Sequence, residues 1–457
     1  MTVAQYSGLV TDRSGKGLTH GNADVFHRMV SIDMQIALGL NLQIDKAMSC
    51  DLIEHVLEKR QTGLERTFTL PVKLQDNLDL RLGRVADYFS VAHRHDDTFT
   101  SMNRFWNPFL AALTPYVPGE QPRIEGLIKL NTNENPYPPS AKALDAMRAA
   151  INDSLRLYPD PSASDLKRTL AHRYCLKPEE VFVGNGSDEV LAFLFQALMG
   201  QQGGCAFPSI SYSFYPVYCQ LFGIDSKPFA LAEDFSVALD QVPEQAACLI
   251  LPNPNAPTGI ALDAEAIVGH ARLHPSRLVV VDEAYVDFGA SSCLPYIGQL
   301  DNLMVVQTLS KSRALAGLRV GFAFGPRDLI EALERVKNSF NSYTVDRVAM
   351  AGAIAAIDDE AWFQTNISRV ITNRQRLCEA LHALGFEVLE SKANFLFVRH
   401  PQRDAAKLAS ALRQRNILVR HFTKPLIDQF LRISVGDEHQ CDVLVDALRS
   451  LNCAEAA

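Results

Sequence analysis

The sequence lacks the features that would direct it to nucleic acid, to a membrane or to an oxidising compartment. Lys and Arg total 44 against 52 Asp and Glu, and this net charge of -8 argues against nucleic acid or an anionic membrane as the main partner. No apolar run approaches the length of a membrane span, and the N-terminus has no signal-peptide pattern. The nine cysteines form no Cys-x-x-Cys pair, which indicates reduced, buried thiols and a cytoplasmic protein.

The chain is long and apolar enough for two or three domains. Of its 457 residues 47% are hydrophobic, and we find no internal repeat and no low-complexity tract. From about Val181 to Gly325, short apolar runs alternate with helical segments, which is typical of a mostly parallel sheet covered by helices on both faces. The predicted strands are Val181–Val183, Ala247–Leu251, Leu278–Val281, Leu303–Gln307 and Val320–Phe324.

The clearest helix is predicted over Asp188–Met199, with Ser187 as its N-cap and Gly200 after its end. Beyond about Tyr343 the pattern changes and predicts a smaller α+β unit, with substrate contacts in the cleft between the two units. Its predicted elements are helices Asp346–Ala356 and Ile367–Leu384 and strands Ala393–Val398 and Leu431–Val435. We therefore expect an N-terminal arm with part of the small domain at 102–160, a large domain at 161–343 and a small domain at 344–457.

Residues 1–101 carry no motif that we can attach to chemistry. They include amphipathic stretches such as Ile44–Leu57, but neither regular strand spacing nor a sustained helical stripe. The segment His93–Asp97 matches no standard ligand spacing, so we expect a solvated charged turn and no metal site. Met102 is itself a possible start codon, and we expect the preceding segment to be dispensable for catalysis. It is either an added regulatory domain or an upstream stretch wrongly joined to the start, and we favour the second interpretation.

Two turns with the chemistry of binding sites follow predicted strands. Gly184-Asn185-Gly186-Ser187-Asp188 is a glycine-rich turn that opens a helix, where backbone N–H groups and the helix N-terminus can bind an anion. The segment Pro252–Gly259 contains three prolines and fixes the backbone around Asn253 and Asn255. Either turn taken alone would also suit a purely structural connection.

Two further strand ends carry ionisable side chains. Asp282 could pair with a protonated pyridine nitrogen and Tyr285 could hydrogen-bond a ring oxygen, although singly they also fit a helix cap and a surface tyrosine. Lys311 lies between two serines, where a desolvated amine can act as a nucleophile, and Arg319 offers a fork for a phosphate. The four sites in this order are far more specific than any one of them.

In this combination the motifs resemble the fold-type I, class II pyridoxal-5′-phosphate (PLP) dependent aminotransferases, and within them the histidinol-phosphate aminotransferases. The resemblance covers about Met102–Leu451 and includes the segments Leu113–Gly119 and Leu130–Pro138. It implies an α/β fold with a mostly parallel, seven-stranded large domain, a smaller α+β domain and PLP as cofactor. By motif, Lys311 is similar to the lysine that forms the Schiff base, Asp282 to the partner of the pyridine nitrogen and Tyr285 to the donor to O3′.

The same resemblance implies further cofactor contacts. Tyr212 matches the aromatic residue that stacks on the pyridine ring, and Tyr158 matches a tyrosine that reaches the cofactor phosphate of the other subunit, which implies a homodimer. The family often has a second donor to O3′ where this sequence has Ala256, and Asn255 is the nearest substitute. The residues implied to line the phosphate site are Ser187, Asp188, Ser310 and Arg319.

The substrate residues implied by the resemblance lie mainly in the C-terminal unit. Arg432 matches the arginine that binds the α-carboxylate of the amino-acid partner, and Arg420 matches the position that meets the phosphate of histidinol phosphate. Histidinol phosphate has no α-carboxylate, so two arginines would explain how one pocket takes both it and glutamate. Tyr137 and Asn394 are expected to complete the pocket.

The implied reaction exchanges an amino group between histidinol phosphate and 2-oxoglutarate, giving imidazole acetol phosphate and glutamate, in histidine biosynthesis. Alternatives of the same fold are an aromatic aminotransferase and a threonine-phosphate decarboxylase, and the segment Arg420–Phe422 favours histidinol phosphate. An alternative from another class is a non-catalytic PLP-binding regulator, but the N-terminal region has no helix-turn-helix pattern followed by a linker.

Overall fold

The computed structural model describes residues 105–455. The predictions for residues 1–101, including Ile44–Leu57 and His93–Asp97, lie outside the described residues. The strands are β1 Ile128–Leu130, β2 Val181–Gly184, β3 Cys205–Pro208, β4 Ser226–Phe229, β5 Cys248–Pro252, β6 Leu278–Asp282, β7 Leu303–Thr308, β8 Gly321–Phe324, β9 Glu387–Val388, β10 Phe395–Arg399, β11 Ile417–His421 and β12 Leu431–Ser434. The helices are α1 Ala141–Ala150, α2 Ser164–Tyr174, α3 Gly186–Leu198, α4 Phe214–Phe222, α5 Ala264–Leu273, α6 Arg327–Phe340, α7 Arg347–Asp358, α8 Glu360–Ala383, α9 Ala405–Arg413 and α10 Glu438–Glu455.

Seven strands form the large sheet, in the order β2-β8-β7-β6-β5-β3-β4. All neighbouring pairs are parallel except those of β8, which runs antiparallel to both β2 and β7. Except for the edge strand β4, the strands of this sheet are buried along their whole length, and successive side chains of a strand point to opposite faces of the sheet. Val279 and Val281 of β6 accordingly pack into one apolar cluster, whereas Leu278 and Val280 pack into another. The predicted mostly parallel, doubly covered sheet is confirmed.

A second sheet of five strands, in the order β1-β11-β12-β10-β9, forms the smaller unit. Only β1 and β11 pair in parallel, and the other neighbours are antiparallel. Leu396 of β10, Ile433 of β12 and Leu444 of α10 share one buried cluster in this unit. Because β1 belongs to this sheet, the segment before the large sheet contributes to the smaller unit. Within the described residues, no helix is long and apolar enough to cross a membrane.

Several element boundaries differ from those predicted. Helix α3 begins at Gly186, so Asn185 takes the N-cap position and Ser187 lies inside the first turn. Helix α8 begins at Glu360 rather than Ile367, because Phe363 and Ile367 lie four residues apart on one buried stripe despite the polar residues between them. Strands β3 and β4 were not predicted, since their sequences, Cys-Ala-Phe-Pro and Ser-Lys-Pro-Phe, contain no β-branched residue.

Candidate active site

The four motifs meet at one edge of the large sheet. Strands β5, β6 and β7 are parallel, and β2 runs in the same direction because β2 and β7 are both antiparallel to β8. The carboxyl ends of all four strands therefore lie on the same edge, the usual position of a ligand site in an open α/β sheet. Asp282 ends β6, and Lys311 lies three residues after the end of β7.

Asp282 is a buried carboxylate with two protein donors. The hydroxyl of Tyr215 donates to Oδ2 over 2.9 Å, and the backbone N–H of Ala284 donates to Oδ1 over 3.2 Å. Burial raises the pKa of the Asp282 carboxyl to about 6, although the Tyr215 hydrogen bond and the charge of Lys311 act in the opposite direction. A carboxylate can accept about four hydrogen bonds. The site is therefore able to take a further cationic N–H donor, which would favour the ionised form.

Lys311 and Tyr285 lie beside the loop that follows β1. The ammonium Nζ of Lys311 is 3.5 Å from the carbonyl oxygen of Thr132 and 5.7 Å from the centre of the Tyr285 ring. The Tyr285 hydroxyl accepts a hydrogen bond from the side-chain amide of Asn133 over 3.0 Å. This leaves its own O–H free to donate to a ligand. The backbone of Lys311 is fixed in turn, because Asn135 donates to its carbonyl oxygen over 3.0 Å.

Arg319 lies against the first turn of α3. Gly186 has φ +80°, and a Cβ at this position would collide with the Arg319 guanidinium. Arg319 Nη2 lies 3.3 Å from Asp188 Oδ2, and Asp188 Oδ1 accepts a hydrogen bond from the Tyr212 hydroxyl over 2.8 Å. The negative charge of Asp188 is thus balanced by the neighbouring Arg319 guanidinium. The N–H groups of the helix N-terminus and the Arg319 fork can face an added anion.

Ser310 and Tyr212 lie next to this turn. Ser310 is buried, with Oγ 2.9 Å from Thr308 Oγ1. The Tyr212 ring meets the Tyr215 ring edge-on, with centroids 5.7 Å apart and an interplanar angle of 84°. Tyr215 in turn binds the Asp282 carboxylate. A ring paired with Asp282 would therefore lie near Tyr212.

Asn255 is fully buried but does not offer a free donor. Its amide Nδ2 donates to the carbonyl oxygen of Ile210 over 3.0 Å and to Thr258 Oγ1 over 3.1 Å. Only Oδ1 has no partner among the described residues. This geometry does not support the idea that Asn255 replaces a donor missing at Ala256. Its amide oxygen can accept a hydrogen bond instead.

Arg420 and Arg432 stand directly opposite each other on neighbouring strands β11 and β12. Arg432 Nη2 donates to the carbonyl oxygen of Asn131 over 2.9 Å, while its Nε has no partner in the part of the chain that the structure describes. Desolvation lowers the pKa of Arg432, and the charge of Arg420 lowers it further. Like charges at directly opposed positions of a sheet are destabilising. An anion bound between the two guanidinium groups would relieve this repulsion.

Asn394 and Tyr137 differ in whether they have a polar atom that is free to bind a substrate. Asn394 is completely buried, donates to the carbonyl oxygen of Asn133 over 2.9 Å, and leaves Oδ1 without a partner among residues 105–455. The Tyr137 hydroxyl is occupied by Glu438 at 3.1 Å and by Asn373 at 2.9 Å. The Tyr137 hydroxyl is therefore not free to bind a substrate. The amide oxygen of Asn394 can accept a hydrogen bond from one.

Tyr158 lies outside this group of residues. Its side chain is 76% exposed and stacks on Tyr343 with ring centroids 4.6 Å apart. Sequence reasoning missed two other residues, Tyr215 and Asn133, which hold Asp282 and Tyr285. Asn133 lies in the segment Leu130–Pro138 and Tyr215 lies three residues after Tyr212, but their hydrogen bonds join positions far apart in the chain, and sequence spacing gives no signal for such pairs. Among the described residues no group of three or more His, Cys, Asp or Glu could hold a metal ion.

The class of the protein is shown by its similarity to known proteins. Residues 125–448 match the family of class I and II aminotransferases. The chain is 55% identical over 347 residues to the histidinol-phosphate aminotransferase of Pseudomonas putida (strain W619), which covers 76% of this chain and 100% of that protein. It is 56% identical over 354 residues to histidinol-phosphate aminotransferase 2 of Dechloromonas aromatica (strain RCB), covering 77% of this chain and 99% of that protein.

The chain belongs to the histidinol-phosphate aminotransferases, within the class I and II aminotransferase family, and is an aminotransferase. The crystal structure of histidinol-phosphate aminotransferase from Sinorhizobium meliloti in complex with pyridoxal-5′-phosphate has the same fold. Its TM-score is 0.68 at 24% identity, covering 78% of this chain and 100% of that one. The family and the fold predicted from the sequence are confirmed.

Proposed function

We propose that the protein uses PLP to exchange an amino group between histidinol phosphate and 2-oxoglutarate, in histidine biosynthesis. One observation carries the substrate assignment: Arg420 and Arg432 are paired across two strands, with no carboxylate partner among the described residues. They lie close to the reactive lysine. Arg432 binds the carbonyl oxygen of Asn131, and Lys311 binds that of Thr132, the next residue.

The residues at the edge of the large sheet fit PLP. Asp282 can accept a hydrogen bond from a protonated ring nitrogen, and Tyr285 can donate to the ring oxygen. The first turn of α3, with Ser187, Asp188, Ser310 and Arg319, can hold the phosphate. The close approach at Gly186, which a Cβ would block, allows the Arg319 guanidinium to reach that turn. Lys311 would hold the cofactor through Nζ.

PLP, when bound, supplies an electron-withdrawing ring that stabilises negative charge on the substrate carbon. Asp282 keeps a proton on the ring nitrogen because a buried, ionised carboxylate favours a cationic partner. Lys311 Nζ would act as the general base that takes the proton from the substrate carbon bearing the amino group, and would hold that proton until it is passed on. The Tyr212 ring would stack on the cofactor ring.

The paired arginines explain how one pocket accepts two different substrates. Glutamate carries an α-carboxylate that Arg432 can bind with its planar fork, and histidinol phosphate carries a phosphate that can lie on the Arg420 side. Both anions occupy the gap where the two positive charges face each other. Asn394, whose amide oxygen lacks a partner among the described residues, can accept a hydrogen bond from the substrate amine.

We also infer a cytoplasmic homodimer. Tyr158 is exposed on the single chain, together with other apolar side chains of the same region, Leu155 and Leu157. A second subunit would cover them and would bring Tyr158 to the phosphate site of its neighbour. Seven cysteines of the described residues, from Cys175 to Cys441, are free thiols, which suits a reducing compartment.

Steady-state kinetics with three amino donors tests the proposal. With 2-oxoglutarate as acceptor, we expect kcat/KM to be highest for histidinol phosphate and lower for phenylalanine. Threonine phosphate should release no carbon dioxide, which separates an aminotransferase from a decarboxylase of the same fold. A preference for phenylalanine, or decarboxylation without transamination, would contradict the substrate assignment while leaving the fold and family unaffected.

A further inference from the structure

Tyr215 has no part in the function described so far, yet its hydroxyl is the only side-chain donor to Asp282 among the described residues. Tyr215 is the second residue of α4 and is fully buried. Its ring is fixed by the rings of Phe195 and Phe207, at centroid distances of 6.2 and 6.0 Å. A buried tyrosine held this firmly can place its hydroxyl in only one position.

We propose that Tyr215 is a positioning residue that keeps the Asp282 carboxylate ionised and oriented toward the cofactor ring nitrogen. This inference rests on the proposed use of PLP. The Tyr215 hydroxyl occupies Oδ2 of Asp282, and the backbone N–H of Ala284 reaches Oδ1 at the longer distance of 3.2 Å. The carboxylate cannot rotate without losing both donors, so its remaining lone pairs keep a fixed direction.

The charges around Asp282 make this hydrogen bond important. Burial raises the pKa of Asp282 to about 6, and the nearby Asp188 carboxylate on α3 raises it as well. Three interactions act in the opposite direction: the hydroxyl of Tyr215, the N–H of Ala284 and the charge of Lys311. Tyr218 of α4 also lies near Asp282, but its hydroxyl donates to the carbonyl oxygen of Asp188. The neighbouring Glu283 is bound elsewhere, by Ser292, Cys293 and Gln307.

Removing the Tyr215 hydroxyl should therefore change how PLP binding depends on pH. Free PLP binds best to an ionised Asp282, because the ring nitrogen brings a proton to the carboxylate. Below the pKa of Asp282 the carboxyl must first lose a proton, so the affinity for PLP falls as the pH decreases. Without its main donor the carboxyl would have a still higher pKa. The fall in affinity should then begin at a higher pH.

The test compares Tyr215→Phe with Tyr218→Phe, measuring the dissociation constant of PLP for the cofactor-free protein from pH 5 to pH 8. Tyr218→Phe is a matched control, since it removes a buried hydroxyl of the same helix whose acceptor is a backbone oxygen. We expect Tyr215→Phe to move the midpoint of the affinity curve to higher pH and to weaken PLP binding roughly tenfold at pH 6.5. Tyr218→Phe should keep the wild-type midpoint.

A second comparison separates this role from a general loss of packing. In an Asp282→Asn background there is no carboxyl to titrate, so adding Tyr215→Phe should change PLP affinity by less than twofold. A midpoint in Tyr215→Phe equal to that of Tyr218→Phe, or a loss that persists in the Asp282→Asn background, would overturn the inference. Failure of the wild-type protein to bind PLP would instead contradict the proposed function. That result is distinguishable from the two outcomes that would overturn only the inference about Tyr215.

Discussion

At the scale of single residues, positive charge is concentrated around the proposed substrate pocket. Arg420 and Arg432 face each other on β11 and β12, while Lys311 lies next to the same loop that binds Arg432. Three cations so close together need an anionic substrate to balance them. We therefore expect the proposed pocket to favour anionic substrates.

Arg420→Ala is expected to harm histidinol phosphate more than glutamate, because only the former presents a phosphate on that side of the pocket. Losing a buried, charge-assisted contact costs about 2 to 5 kcal/mol in binding. The measurement is kcat/KM for each substrate in the Arg420→Ala and Arg432→Ala variants. The second variant should show the opposite selectivity. Equal losses for both substrates in Arg420→Ala would mean that Arg420 acts on the fold or on a shared carboxylate.

Sequence reasoning predicted candidate site residues where each followed an apolar strand, and the structure brings these strand ends to one edge of the large sheet. Asp282, Lys311 and the glycine-rich turn at Gly186 were identified because a strand end is visible in the sequence as a buried run that stops at a polar residue. The sequence could not predict that the hydroxyl of Tyr137 and the amide N–H groups of Asn255 are already hydrogen-bonded within the protein. Both depend on partners more than 40 positions away or on local turn geometry.

At the scale of elements, the N-terminus of α3 is the part of the fold most specialised for binding. Its first residue, Gly186, has a positive φ, and the start of β8 at Gly321 packs so closely that a Cβ there would collide with the backbone of Ser187. These two glycines bring the helix N-terminus, Arg319 and the strand end together. The proposed phosphate site thus depends on close approach of the backbone at these two glycines as much as on side chains.

Gly186→Ala should weaken PLP binding roughly tenfold or more, because the new methyl group displaces the Arg319 guanidinium and the positive φ disfavours alanine. Gly200→Ala is the matched control just past the other end of α3, where an added Cβ meets open space. PLP affinity is measured by absorbance titration, alongside the melting temperature of the cofactor-free proteins. Wild-type affinity in Gly186→Ala would show that the Arg319 position is not needed for binding.

Element boundaries were harder to predict than element types. The long apolar strands β5, β6 and β7 were found within one residue of their ends, since burial on both faces leaves a continuous apolar run. Strand β4 was missed because it lies at the edge of the sheet, where only one of its four residues is buried. A strand with so few buried residues is specified by pairing with its neighbour, which a local pattern does not reveal.

At the scale of the whole molecule, the account requires two subunits. Tyr158 is exposed on the single chain, and its ring stacks on Tyr343 rather than on one of the other candidate site residues. A closed dimer with twofold symmetry would exchange this tyrosine between two sites. The catalytic unit would then be the dimer rather than the chain.

Mixing two inactive variants tests this exchange. Tyr158→Ala and Lys311→Ala are each expected to lose activity, but a mixed dimer contains one site with both residues intact. After complete subunit exchange, about a quarter of the wild-type activity should return. Failure to recover activity in a mixture shown by mass spectrometry to contain mixed dimers would contradict the assignment of Tyr158.

Every site residue discussed here lies within residues 105–455, and so does the full match to the aminotransferase family. We therefore expect a protein truncated to Met102–Ala457 to retain the turnover, dimerisation and PLP affinity of the full chain. Kinetics and analytical ultracentrifugation on both proteins provide the comparison. A truncated protein that fails to fold or to bind PLP would show that residues 1–101 are integral to the enzyme.

The central claim is that Lys311, at the carboxyl edge of the large sheet, carries the cofactor. Borohydride reduction of the PLP-loaded protein, followed by peptide mapping, tests it most directly, because reduction fixes the cofactor to the residue that holds it. The account predicts a pyridoxyl group on Lys311 and none in the Lys311→Ala variant, which should also lose transamination. A pyridoxyl group on any other lysine of the wild-type protein would contradict the account.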